Sequence, residues 1–205
     1  MYKFIYFLLN LIFRPFISMK IENPENIPKD RNYIIIANHV SNFDPLLLAL
    51  KWEKQVHFMA KEELFKIFVI GPVLKMLDMI PVRRGESDRK AVKESLDYLK
   101  QGEILALFPE GTRNKKKEGL LPFHTGAAFF AKSADLEVLP VAITGTDSIK
   151  PGFFNKVVFN VGKPIKITDY YDGKISSKEL EGFTGILKNE IGNLLRMENE
   201  NNCSE

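Results

Sequence analysis

At 205 residues the chain is long enough for one ordinary domain with a short appendage, and 45% hydrophobic residues suffice for a sizeable core. Its 29 basic residues are nearly balanced by 26 acidic ones, so the net charge of +3 gives no ground for a nucleic-acid protein, and any basic site must be local. The single cysteine, Cys203, lies in the polar run Asn199 to Glu205, which excludes an internal disulfide, argues against a thiol nucleophile or a cysteine-based metal site, and fits a reducing cytosolic setting.

Residues Tyr2 to Phe13 are apolar or aromatic except for Lys3 and Asn10, and Arg14 follows. On a helix turning about 100° per residue, those three polar residues fall within about 40° of one another and leave a wide apolar face. Such a helix is about 18 Å long, short of the roughly 30 Å hydrocarbon core, and Pro15 interrupts its continuation, so spanning is disfavoured. An interfacial helix is expected, with its apolar face in the acyl region and Lys3 and Arg14 at headgroup level. Packing into the domain core and a cleaved secretory signal are the alternatives, the latter lacking a small-x-small cleavage site. Phe16, Ile17 and Met19 extend the apolar contact towards a boundary near Pro24 and Pro28. The expected division is an N-terminal membrane-interface segment over 1–28, an α/β domain over 29–198 and a polar tail over 199–205.

Tyr33 to Ala37 reads as a buried strand, and Asp44-Pro45 before Leu46 to Leu50 as an N-cap, a first-turn proline and an apolar helix. Gln55 to Ala60 reads as a short strand, and Lys61 to Val69 as a helix interrupted at Gly71-Pro72 before Val73 to Leu77 resumes. Ser87 and Asp88 can cap a helix through Leu99 that Gly102 closes, and Ile104 begins the next strand. Thr125 to Lys132 reads as helical, Val138 to Thr144 and Lys156 to Val161 as strands, and Ser176 to Glu179 as a capping box opening a helix to about Met197. Strands alternating with helices predict an α/β fold, a largely parallel twisted sheet flanked by helices.

Two strand ends carry chemistry. His39 and Asp44 share the turn after the first strand, where an imidazole can accept a proton from an alcohol and a carboxylate can fix its tautomer and stabilise the imidazolium. The plainer reading is that Asp44 caps a helix and His39 is a satisfied strand-end histidine. Ile104 to Asn114 repeats the layout: an apolar strand runs into Phe108-Pro109-Glu110-Gly111-Thr112-Arg113. Gly111 permits close backbone approach, Thr112 offers a hydroxyl, and Arg113 a forked donor suited to a phosphate. Its plainer reading is a solvated loop with a Glu110 to Arg113 ion pair. Polar turns at strand ends of one α/β sheet tend to converge on one crevice.

On these residues the chain resembles the glycerolipid acyltransferase family, and within it the bacterial 1-acyl-sn-glycerol-3-phosphate acyltransferases. The His-x4-Asp block is similar to His39 to Asp44, a second block to Met79-Ile80-Pro81-Val82-Arg83-Arg84-Gly85, a third is matched at every position by Phe108 to Arg113, and a strand with an internal proline is similar to Val138 to Ile143. They arrive in family order across roughly residues 30 to 146.

The resemblance implies that His39 is a general base for the free 2-hydroxyl of 1-acyl-glycerol-3-phosphate, with Asp44 orienting the ring and direct transfer from a thioester donor, giving phosphatidic acid. It places the acceptor's phosphate on Arg84 and Arg113, with Lys61 as a third candidate, and Glu110, Gly111 and Thr112 among the substrate-binding residues. Lys61 and Arg84 also read as ordinary surface charges, and Arg83 stands where relatives often carry an acid. Ser41 lies between His39 and Asp44, in the variable part of the motif, which argues against a nucleophile. His124 stands where many relatives carry lysine, and its plainer reading is a surface histidine. Lys115 to Lys117 reads as a solvated loop. Apolar residues among Leu46 to Leu50 and Phe65 to Leu77 could line an acyl groove or simply form core. No cofactor or metal is expected; acyl-CoA or acyl carrier protein is the donor substrate. The expected partners are a membrane surface and a lysophospholipid, with no nucleic acid, at the cytoplasmic face of the cell membrane in peripheral or monotopic attachment. A different lysolipid acceptor, a non-catalytic lipid-binding protein and a hydrolase are the rival readings.

Overall fold

Residues Ile34 to Ala37 contain no polar side chain and are fully buried, as a strand must be when helices cover both faces of its sheet. The computed structural model describes residues 2–202 apart from 53, 69, 84–87, 117–118 and 151–152, with side chains described between Tyr6 and Met197. Its strands are β1 (Ile17–Glu22), β2 (Ile34–Ala37), β3 (Val56–Lys61), β4 (Ile80–Val82), β5 (Ile104–Leu107), β6 (Val138–Thr144) and β7 (Asn155–Val161). They form one sheet in the order β1-β7-β6-β2-β5-β3-β4. Every neighbouring pair is parallel except β6 with β7. The expected largely parallel α/β sheet is therefore the one observed.

This topology positions the site. β2 to β6 all run one way, so their C-terminal ends share one edge of the sheet, and the reversed β7 and β1 begin at that same edge, where Asn155 pairs with Ile17. Alternation along β2 divides the core in two. Ile35 and Ala37 pack with Leu47, Leu48 and Leu50 of α2 (Asp44–Lys51) on one face. Ile34 and Ile36 pack on the other with α4 (Arg89–Lys100), α5 (Gly126–Ala134) and α6 (Ser177–Asn202). α1 (Tyr2–Phe13) and α3 (Ile70–Met76) join the first face.

The caps expected for two helices form. The Asp88 side chain accepts the Ala91 amide at 3.0 Å and opens α4, and Gly102, at φ +85°, follows its end. Ser176 and Glu179 exchange hydrogen bonds at the start of α6. Ser87 lies outside the described residues. Several local readings change. Residues 62–66 form a 3-10 turn, and α3 runs through Gly71-Pro72, since Pro72 stands in the first helical turn where its missing N–H has no partner to lose. Residues 17–22, read from sequence as part of the N-terminal segment, are the outer strand of the sheet, with mixed burial and no clean alternation to announce them. β4 is three residues long, too short for any periodicity to show. α6 continues to Asn202, into the polar run at the C-terminus.

α1 packs one face against the domain, as the core reading expects, and leaves the other uncovered. Tyr6, Leu9 and Phe13 are half-buried against the core, and the Tyr6 hydroxyl donates to the Leu50 carbonyl at 3.0 Å. Phe7, Leu8, Leu11 and Ile12 point outwards and are exposed. No helix among the described residues is long and apolar enough to cross a membrane.

Candidate active site

At the end of β2 the Asn38 side chain replaces a strand residue: its Oδ1 accepts the Ile143 amide at 2.7 Å and its Nδ2 donates to the Ile143 carbonyl at 2.9 Å. That clamp holds the chain to β6 as it leaves the sheet and fixes where the next residue, His39, begins. Because Asn38 is buried, losing it would strand two main-chain groups without partners.

Asp44 does not cap its own helix, contrary to the simplest reading of Asp-Pro. It is the first residue of α2, Phe43 takes the N-cap position without a side-chain bond, and Pro45 is the second helical residue. The carboxylate turns back instead. Its Oδ2 accepts from His39 Nδ1 at 2.7 Å and from the Val40 and Ser41 amides at 2.8 Å each. A carboxylate only accepts, so Nδ1 carries the proton and the neutral ring keeps its lone pair on Nε2. The Asp44 side chain is wholly buried whereas that of His39 is 15% exposed. The ring lies on Phe108, centroids 4.3 Å apart and planes 23° off parallel, so a wall fixes one of its faces. The Ser41 hydroxyl accepts the Phe43 amide at 3.3 Å, a turn-forming role.

The turn after β5 is fastened to the first. Glu110 is buried: its Oε1 accepts the His39 amide at 2.8 Å and its Oε2 the Leu121 amide at 2.9 Å. The Asn114 amide donates to the His39 carbonyl at 2.7 Å. The amide and the carbonyl of His39 are thus both held by the second turn. Glu110, expected among the substrate-binding residues, spends both oxygens on main-chain amides, and the Glu110 to Arg113 ion pair of the plain loop reading does not form. Thr112 is exposed and Arg113 half-buried.

Gly111 has φ +66°, a conformation that costs a side chain strain, and a Cβ there would stand 2.9 Å from His124 Cδ2. His124, whose amide donates to the Pro109 carbonyl at 2.8 Å, therefore lies directly over the turn. It is exposed, as the surface reading holds, yet it sits beside the site, and a lone histidine in a loop carries no periodic signal of that placement. Asn38 and Asn114 were also missed as site residues, although Asn38, directly after the apolar run of β2, is a polar interruption visible in the sequence.

The remaining candidates separate. Lys61 ends β3 on the same sheet edge and is exposed. The Arg83 guanidinium lies 2.6 Å from Glu62, holding that carboxyl below the usual range, so Arg83 faces this acid. Arg84 lies outside the described residues. Of the proposed groove residues, Leu47 to Leu50 and Leu77 are core, while Ile67, Phe68 and Ile70 are exposed and Val69 is not described. Lys115 and Lys116 are exposed.

Comparison with known proteins agrees with this geometry. The family described as Acyltransferase matches residues 18–144. A 1-acyl-sn-glycerol-3-phosphate acyltransferase of Bacillus subtilis is 32% identical over 197 residues, 95% of this chain and 96% of that protein. One from Borreliella burgdorferi is 29% identical over 85% of this chain and 70% of its own length. The crystal structure of the 1-acyl-sn-glycerophosphate acyltransferase from Thermotoga maritima superposes with a TM-score of 0.72 at 29% identity, covering 96% of this chain and 79% of that one. The paired turns, their order along the chain and the match across nearly its whole length place this chain in the acyltransferase family.

Proposed function

We propose that the protein transfers a fatty acyl group from a thioester donor to the 2-hydroxyl of 1-acyl-glycerol-3-phosphate, forming phosphatidic acid for phospholipid synthesis. The observation that carries the reading is His39: Asp44 Oδ2 sits 2.7 Å from Nδ1, and the neighbouring turn holds the residue's amide and carbonyl. Nε2 takes the hydroxyl proton as that oxygen bonds to the acyl carbonyl carbon. The tetrahedral intermediate then expels the thiolate, which takes the proton back from the imidazolium. Asp44 stabilises the imidazolium between the two steps. No acyl-enzyme is needed, since one base serves both proton transfers.

Arg113, beside the turn glycine, binds the acceptor's phosphate, with Lys61 and Arg84 as further cations and Gly111 and Thr112 lining the approach. Glu110 serves by positioning His39. The donor is acyl-CoA or acyl carrier protein, which share a thioester. The outward apolar face of α1 rests in a membrane surface, with attachment peripheral or monotopic at the cytoplasmic face of the cell membrane. The unit that enters the membrane is α1, the α/β domain carries the chemistry, and the polar run over 199–205 takes no part in it.

Labelled acyl-CoA and lysophosphatidic acid incubated with the protein and vesicles, with transfer, hydrolysis and binding followed separately, test the reading. Transfer is expected, and His39→Ala should lose at least about 100-fold in turnover. Hydrolysis without transfer, or binding without either, would replace it with the hydrolase or the lipid-binding reading.

A further inference from the structure

The largest exposed apolar side chains are not scattered. Phe68 is 94% exposed, Phe154 74% and Phe153 67%, so nearly whole rings face water. Phe68 lies between β3 and α3, where the chain has just left the C-terminal edge of the sheet. Phe153 and Phe154 immediately precede β7, which enters at that edge, and Phe16 precedes β1 there. Three separate connections thus deliver aromatic rings to the edge that holds His39. α1 reaches this edge too: the Phe13 ring meets Phe43, in the turn after β2, at 6.2 Å, and Phe154 borders one groove with Phe7, Asn10 and Arg14.

Charge on this edge is basic. Arg14, Lys61, Lys66, Lys116 and Lys150 are exposed at strand ends and connections of this edge, against the exposed acids Glu63 and Asp147. Asp44 and Glu110 are buried in their turns, and Glu62 is occupied by Arg83. Apolar rings interleaved with exposed cations on one face fit an anionic bilayer, into which rings sink while lysines reach the headgroups.

We propose that α1 is one of three insertion points, and that the turn carrying Phe68 and the loop carrying Phe153 and Phe154 enter the bilayer beside it. The C-terminal edge of the sheet then lies flat on the membrane, and the mouth above His39 opens towards the lipid. The proposal rests on the membrane reading of α1 and adds two contacts that reading does not require. Points on one rigid body bind in concert, so each multiplies the partition coefficient.

Trp52, the chain's single tryptophan, is buried and donates to the Tyr33 hydroxyl at 2.9 Å, so it provides a constant background. Full-length Leu11→Trp, Phe68→Trp, Phe154→Trp and Tyr170→Trp are each mixed with vesicles of phosphatidylglycerol and phosphatidylcholine whose acyl chains carry bromine. Tyr170 is exposed beyond the end of β7, at the opposite edge. Bromine should quench the first three and spare Tyr170→Trp. Phe68→Ser combined with Phe154→Ser should weaken vesicle partition about 10-fold or more, with thermal stability kept. Quenching at Leu11→Trp alone overturns the three-point seat and leaves the α1 reading standing. No quenching at any position overturns both, and quenching at Tyr170→Trp equal to that at Phe68→Trp overturns the orientation.

Discussion

The Asp44 carboxylate is wholly buried, and the one oxygen that faces His39 Nδ1 at 2.7 Å also accepts two backbone amides of the intervening turn. The same atom therefore shapes the loop and sets the proton on the ring. Asp44→Asn separates these roles, because an amide oxygen can still accept from Val40 and Ser41 but cannot stabilise an imidazolium. We predict a loss of about 10²- to 10⁴-fold in kcat, with KM for the acceptor little changed. Steady-state kinetics over both substrates checks it; a kcat within a few-fold of wild type would remove Asp44 from the mechanism.

Glu110 joins the two turns through main-chain amides on either side of it. In Glu110→Gln one carboxylate oxygen becomes an NH2 group facing an N–H, which leaves a buried amide unpaired at a cost of about 1–3 kcal/mol. A lower Tm together with a lower kcat is expected, since His39 is released at its amide. If Tm holds and only KM for the acceptor rises, Glu110 touches substrate after all.

Arg113→Ala should raise KM for lysophosphatidic acid about 10- to 100-fold, the weight of a charge-assisted pair to phosphate, and leave the donor's KM much less affected. Competition by glycerol 3-phosphate gives an independent readout. Equal weakening towards both substrates would contradict the phosphate assignment.

Hydrogen bonds from the Ala91 and Arg83 amides hold the Asp88 carboxyl below its ordinary range. A group with a lowered folded-state pKa stabilises fully above its unfolded value, about 3.9 for aspartate, and loses that contribution as pH falls through the folded value. The Tm difference between wild type and Asp88→Ala should therefore be largest near neutrality and close below about pH 4. Thermal melts across that range decide it; a difference that does not shrink in acid would deny the ionised cap.

Much was legible in the residues alone because short-range rules govern it. The all-apolar run of β2, the Asp88 cap, the Ser176 to Glu179 box and the Phe108 to Arg113 turn depend on neighbours a few positions apart. β1 and β4 were not legible: an edge strand of mixed burial and one of three residues leave no period to read. The dual behaviour of α1, half docked and half exposed, follows from which face meets α2, and a lone helix cannot show that.

The sequence by itself determined the fold class, much of the helix and turn chemistry, and the pairing of His39 with Asp44, five positions apart. Only the tertiary structure decided that Glu110 reaches across 71 residues to the His39 amide, that Asp44 turns back instead of capping α2, and that His124 covers Gly111. The physical reason is that these bonds exist only once parallel pairing of β2 with β5 has brought two strand ends side by side, and no local pattern encodes which atoms then fall within hydrogen-bond reach.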